Sequence, residues 1–304
     1  MAAATPKGLI LLDTKSSILR ELLAPRILEG KREACEITFM DFDDVNFKII
    51  VNPENANVVT VNMAIRNVPE LKKLGSEDWL QRLFPGMQVA PADGFNVAIQ
   101  FDCDALSDPA KFLENISDLR KIVAGGPLDR AFNALQAKSS DNLPVAVVEY
   151  RKFEPFFIIP SESKIIVIFA VDFADETDKA LARVFMQEFV EAQRVVRNAP
   201  PVTFSKEAPP LLTSKVNYAF KPDIAGFISF AVEERHIAGP GKDRAIGLLT
   251  GFRNYLHYHI KCSKTYLHMR MRKKVAAWML VLNRAMPEVE SEKKTVSGKS
   301  FVRK

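Results

Sequence analysis

Cysteine is scarce in this chain. Cys35, Cys103 and Cys262 are odd in number, widely scattered and in no CxxC pair, which excludes a disulfide framework and the common zinc and thiol-redox motifs. They read as reduced thiols of a cytosolic protein. The apolar run Ile165–Val171 falls far short of the ~20 residues a membrane helix needs, so no membrane span is expected. The opening Met1–Leu12 carries only Leu9–Leu12 as an apolar stretch behind a single lysine, too little for a secretory signal.

Signatures of catalysis are missing too. Ser297-Gly298-Lys299-Ser300 copies the end of a phosphate-binding loop, but Lys293 occupies the place of its first glycine, and no strand precedes it. His257, His259, Cys262 and His268 have no carboxylate nearby and no zinc spacing, so they read as interface or cationic-face side chains. Asp41, Asp43 and Asp44 fall between two strand candidates and read as a solvated turn rather than an acid/base pair. No catalytic residue, metal or other cofactor is expected, and the chain reads as non-enzymatic.

Proline is absent between Pro240 and Pro287, and this absence says the most. Across the gap Ile246, Leu249, Phe252, Leu256, Ile260, Leu267, Met271, Val275, Trp278, Leu282 and Ala285 recur every three or four positions, with Ser263 filling one step. That is helical periodicity. A helix over 242–285 would be about 65 Å long and should reach beyond a domain of ordinary size. Its apolar seam then needs a second protein to cover it. One residue further round, Arg253, His257, Lys261, Lys264, His268 and Arg272 repeat the same spacing as a cationic ribbon. Residues 242–304 hold 15 Lys/Arg against 4 Asp/Glu, a net +11, while residues 1–241 hold 27 against 33, a net −6. A basic helix on an acidic body suits an extended anionic partner: nucleic acid, an anionic membrane surface or an acidic protein filament. Tyr255, Tyr258 and Tyr266 among the basic residues would serve nucleic acid and protein interfaces alike.

The rest of the chain reads as two similar halves. In the first, a helix at Ser16–Leu28, bent or broken near Pro25, precedes strands at Cys35–Met40, Val45–Val51 and Val58–Ile65. A helix at Pro69–Phe84, a strand at Phe95–Phe101 and a helix at Asp108–Ala124 follow, and Gly125-Gly126 stops the last. In the second, a helix at Leu128–Ala137 precedes strands at Val145–Tyr150, Pro155–Ile159 and Ile165–Phe173. A helix at Asp178–Arg197 and a strand at Ile224–Val232 lead into the long helix. Ala199-Pro200-Pro201 and Ala208-Pro209-Pro210 mark an ordered, extended connection anchored by Val202, Phe204, Leu211 and Leu212. Short turns between strands favour antiparallel pairing. The expected fold is α+β: two related α/β sandwich domains with mostly antiparallel sheets, at 1–125 and 126–241, a long C-terminal helix at 242–286 packing on the second domain and a partner, and a basic tail at 287–304.

The stretch Phe252-Arg253-Asn254-Tyr255-Leu256-His257-Tyr258-His259-Ile260-Lys261-Cys262-Ser263-Lys264, followed by Val281-Leu282-Asn283-Arg284-Ala285, closely resembles the family of second subunits of the actin-related protein 2/3 complex. So do Val184–Phe189, the proline-rich connection, Ile37-Thr38-Phe39 with Asp41-Phe42-Asp43, Gly94–Val97 and the tail Lys294–Lys299. The resemblance runs in order over nearly the whole chain, though Met1–Gly8 and Ser107–Pro109 match poorly. It implies a structural subunit whose long helix packs with subunit 4, in an assembly with the actin-related proteins that starts a daughter actin filament on the side of an existing one.

On this reading Phe252, Leu256, Ile260, Leu267, Met271, Trp278 and Leu282 form the partner-helix interface. Lys261, Lys264, Arg270, Arg272, Lys273, Lys274 and Lys299 are candidate contacts to filamentous actin. Leu280 stands where the family often has a lysine, so one filament contact is not carried over. The implied location is the cytoplasmic actin cytoskeleton and cell projections. The rival reading is a nucleic-acid-binding protein that uses the same basic helix.

Overall fold

The structure, a computed structural model, describes residues 13–285 except 194 and 197. Contacts divide the chain into two units, Met1–Ile260 and Lys261–Lys304. The first contains two antiparallel sheets. β1 (Cys35–Met40), β2 (Asn46–Val51), β3 (Val58–Ala64) and β4 (Val97–Asp102) lie in the order β1-β2-β3-β4. The register aligns Ile49 with Val61 and Val61 with Ile99, and Phe47 with Met63. Strict alternation along β2 places these side chains on one buried face, as a period of two requires. Helices α1 (Ser17–Ile27), α3 (Glu77–Leu83) and α4 (Pro109–Ser117) add Leu19, Leu23, Trp79, Leu80, Phe112 and Ile116 to the same core. α1 is not broken at Pro25. The carbonyl freed by its missing N–H belongs to Glu21, an exposed residue, so the loss falls on the solvent side of the helix.

The second sheet joins β5 (Ala146–Val148), β6 (Phe156–Ser161), β7 (Lys164–Val171), β9 (Gly226–Glu233) and β8 (Val202–Ser205) in the order β5-β6-β7-β9-β8. It is apolar on both faces, which explains the unbroken hydrophobic runs of β6 and β7. One face (Phe156, Ile158, Val167, Phe169, Ile228) belongs to the large core shared with the first sheet. On the other, Phe157, Ile159, Ile168 and Phe227 pack with Leu212, Tyr218 and Phe220. The proline-rich connection is therefore ordered: it supplies β8, the short α7 (Pro210–Thr213) and the cover of that face. Val202 and Leu212 are buried anchors, and Leu211 is exposed.

Gly125-Gly126 does not stop a helix. α5 (Leu119–Gln136) runs straight through it and through Pro127, because the glycines serve close packing rather than termination. A Cβ on Gly125 would lie 2.6 Å from Ile246 Cγ2, and one on Gly126 would collide with the Ser76 backbone. Ser76 ends a π-type turn, Lys72–Ser76, between the short α2 (Val68–Leu71) and α3. Its hydroxyl donates to the Val123 carbonyl at 2.6 Å, the acceptor that Pro127 leaves without an N–H. Gly126→Ala is expected to destabilise the chain by about 1–3 kcal/mol despite alanine's better helix propensity, since backbone must move to admit the methyl group. An unchanged urea midpoint would contradict that account.

α6 (Glu176–Gln193) packs on the second sheet through Ala182, Met186, Phe185 and Phe189. α8 (Gly241–Ala285) is one helix of 45 residues, which corresponds to about 67 Å.

Candidate protein-interaction surface on the long helix

The first half of α8 is a core helix. Ile246, Leu249, Phe252, Leu256 and Ile260 are all buried within the chain itself, and the Phe252 ring lies 5.0 Å from that of Phe169 and 5.1 Å from that of Phe230. Phe252, Leu256 and Ile260, expected at the partner interface, are thus buried within the chain itself, Phe252 against the second sheet and Phe189 of α6.

Beside them, a buried ionic network ties α8 to both sheets. Arg253 Nε donates to Glu154 at 2.6 Å and its Nη2 to the Asp172 carbonyl at 2.8 Å, while the guanidinium lies 4.1 Å from the centre of the Phe173 ring. Glu154 also accepts from Arg151 at 2.9 Å and from the Asp172 N–H at 2.9 Å. Arg151 donates to Asp43 at 2.8 Å, which also accepts from Asn254 at 2.9 Å and Arg120 at 3.2 Å. Burial lowers the pKa of the Arg151 guanidinium, but the Asp43 hydrogen bond and the Glu154 charge outweigh it and leave the group above its ordinary value. Tyr150 stands well above the usual phenol range, because it is buried and faces the Asp43 and Glu154 charges.

Two expectations are corrected here. Asp43 is not a solvated turn residue: left-handed backbone at Asp43 and Asp44 (φ 61° and 57°) directs its carboxylate inward, where the side chain is 6% exposed. Arg253 is not part of an exposed ribbon, because Glu154 and Phe173 enclose it. Its position near the apolar seam was the available sequence signal; the partners, about a hundred residues away, carried none.

From Lys261 to Arg284 the helix is exposed on every side, with Lys264 alone half-buried. Lys261, Arg270, Arg272, Lys273 and Lys274 are exposed, and so are Leu267, Met271, Trp278 and Leu282. Trp278 has 71% of its surface open. No Asp or Glu occurs from Arg244 to Pro287. Val275–Leu282 is an unbroken apolar run exposed around the whole circumference, whereas the periodic reading followed only one stripe. A helix apolar all round is one that expects to be enclosed. His257 lies near Phe173 and His259 stacks on Phe185; among the described residues no three His, Cys, Asp or Glu side chains converge as a metal site. No helix among them is long and apolar enough to cross a membrane. Lys299 and the Ser297–Ser300 sequence lie outside the described residues.

Comparison with known proteins adds identity to this geometry. The family model described as Arp2/3 complex, 34 kD subunit p34-Arc, matches residues 61–289. The chain is 34% identical over 314 aligned positions to actin-related protein 2/3 complex subunit 2 of Schizosaccharomyces pombe, covering 96% of this chain and 99% of that one. It is 32% identical over 297 positions to the protein of the same name from Dictyostelium discoideum, with the same two coverages. Since the family model matches most of the chain, α8 included, and the two relatives match it nearly end to end, the chain belongs to the p34-Arc family, the 34 kD subunits of the Arp2/3 complex.

Proposed function

We propose that this chain is a non-catalytic scaffold subunit of an Arp2/3 complex, which nucleates branched actin filaments. In this reading it pairs with subunit 4, assembles with the remaining subunits including the actin-related proteins, and contributes to the mother-filament contact. It works in the cytoplasmic actin cytoskeleton and in cell projections. The observation that carries the reading is the exposed end of α8, which presents an apolar stripe that widens to the whole circumference over Val275–Leu282 and is free of acidic residues. Leu267, Met271, Trp278 and Leu282 offer the partner helix an apolar seam, and Lys261, Lys264, Arg270, Arg272, Lys273 and Lys274 offer an anionic filament a field of positive charge.

Single exposed ion pairs contribute only ~0–1 kcal/mol, so the test needs several changes at once. The assembled complex carrying Lys264→Glu, Arg272→Glu and Lys273→Glu is expected to stay intact, to pellet less with filamentous actin and to form fewer branches. The wild-type complex should show a parallel loss as salt rises. Unchanged pelleting by the intact triple variant would remove these residues from the filament site. A gel shift with DNA and RNA run beside it separates this reading from nucleic-acid binding, where the triple variant would lose the shift instead.

A further inference from the structure

The apolar seam of Leu267, Met271, Val275, Trp278 and Leu282 occupies one side of the exposed helix. At ~100° per residue, a second set of side chains lies about half a turn away: Cys262, Tyr266, Met269, Lys273, Ala276 and Leu280. Their spacing alternates four and three without a break, the heptad pattern of a helix–helix seam. All six are exposed, with Met269 at 52% and Leu280 at 62%. A purely solvated back face has no reason to repeat Tyr, Met and Leu in that register, and exposed apolar side chains so aligned, interrupted at one step by Lys273, mark an interaction surface.

The charges around the strip describe its occupant. Lys273 sits within the seam, and Arg270 and Arg272 fall at the flanking positions that set partner choice in paired helices. The Arg270 guanidinium lies 5.8 Å from the centre of the Tyr266 ring, so this cation lies along the apolar strip. With no Asp or Glu from 244 to 287, this helix supplies no counter-charge of its own, and a complementary surface must bring it. Arg270, Arg272 and Lys273 are also the cations assigned above to the filament, which makes the strip continuous with that contact. Leu280 extends it by one further turn with an apolar group.

We infer that Cys262, Tyr266, Met269, Lys273, Ala276 and Leu280 form a second seam that seats an acidic amphipathic helix on the filament surface, with its apolar face on Tyr266, Met269 and Leu280 and its carboxylates on Arg270, Arg272 and Lys273. This inference rests on filament docking by the same helix. It adds that the contact buries apolar side chains on either side of Lys273 as well as pairing charges.

The test uses the assembled complex with Met269→Gln and Leu280→Gln, changes that keep helix propensity and charge. Assembly is expected to be unchanged. Affinity for filamentous actin is expected to fall by about tenfold, by a similar factor at low and high salt, since apolar burial is lost and no ion pair is. A designed peptide with leucine at the seam positions and glutamate at the flanking ones should compete with filaments for the wild-type complex, whereas a shuffled peptide of equal composition should not. If the glutamine pair pellets like wild type while the charge-reversed triple variant does not, docking is through cations alone and the seam is overturned, with the filament reading intact. If neither variant changes pelleting, both readings fall. Loss of assembly by the glutamine pair would assign the strip to a neighbouring subunit, and absence of peptide competition would exclude a helix as its occupant; either overturns the inference.

Discussion

Replacing Arg253 by methionine is expected to cost the folded chain about 3–5 kcal/mol, the range found when one partner of a buried ion pair is removed. Glu154 would keep Arg151 and the Asp172 N–H but lose its 2.6 Å partner where water cannot replace it. Phe173 would lose the cation over its ring, worth up to about 2 kcal/mol when desolvated. Urea unfolding followed by the fluorescence of buried Trp79, in a Trp278→Phe background that silences the exposed indole, reads the loss directly. Adding Glu154→Gln to Arg253→Met should recover part of it, because the Oε1 atom that loses Arg253 then belongs to a neutral amide, while Arg151 keeps the Asp43 carboxylate. An Arg253→Met chain as stable as its parent would mean that hydrophobic packing alone holds α8 to the sheets.

The second large effect concerns assembly rather than folding. Met271→Asp with Trp278→Asp places two carboxylates on the exposed apolar stripe, where burial against a partner would leave them unpaired. The complex is expected not to form: subunit 4 should fail to copurify, while residues up to 260 keep the parent's protection in amide hydrogen exchange, since neither side chain belongs to the core. Leu256→Asp would be a poor probe of the same interface. Leu256 is 0% exposed inside the chain's own core, and its loss would unfold the protein before any partner was consulted. Normal copurification of the doubly substituted chain would move the partner contact off this stripe.

Much of the architecture was legible in the residues. Alternation gave β2, and short turns between apolar runs gave antiparallel order in both sheets, because strand period and hairpin length are local properties. The long helix was legible for the same reason: periodicity and the absence of proline act residue by residue. Of the cations of α8, Lys261, Lys264 and Arg272 are legible from their spacing, and the family from the motif that begins at Phe252. One error came from a local rule applied where a distant contact prevailed. Gly125-Gly126 carries the signal of a helix end, yet α5 continues because Ser76 and Ile246 press against it, and glycine is equally the residue of close approach.

What the sequence by itself determined is most of the elements, their order and the polarity of charge between body and helix, all of which depend on neighbours in the chain; β8, α7 and the division between α4 and α5 were not legible there. Which part of the apolar seam is core and which is open was decided only by tertiary structure. The same three-and-four spacing runs from Ile246 to Leu282, but burial ends at Ile260, where the chain's own packing stops covering it. The fate of the charges was decided the same way. Arg253 and Lys264 share the wheel position that defined one ribbon, yet Arg253 alone meets Glu154, Asp172 and Phe173, and that meeting depends on residues some eighty to a hundred positions apart being folded together.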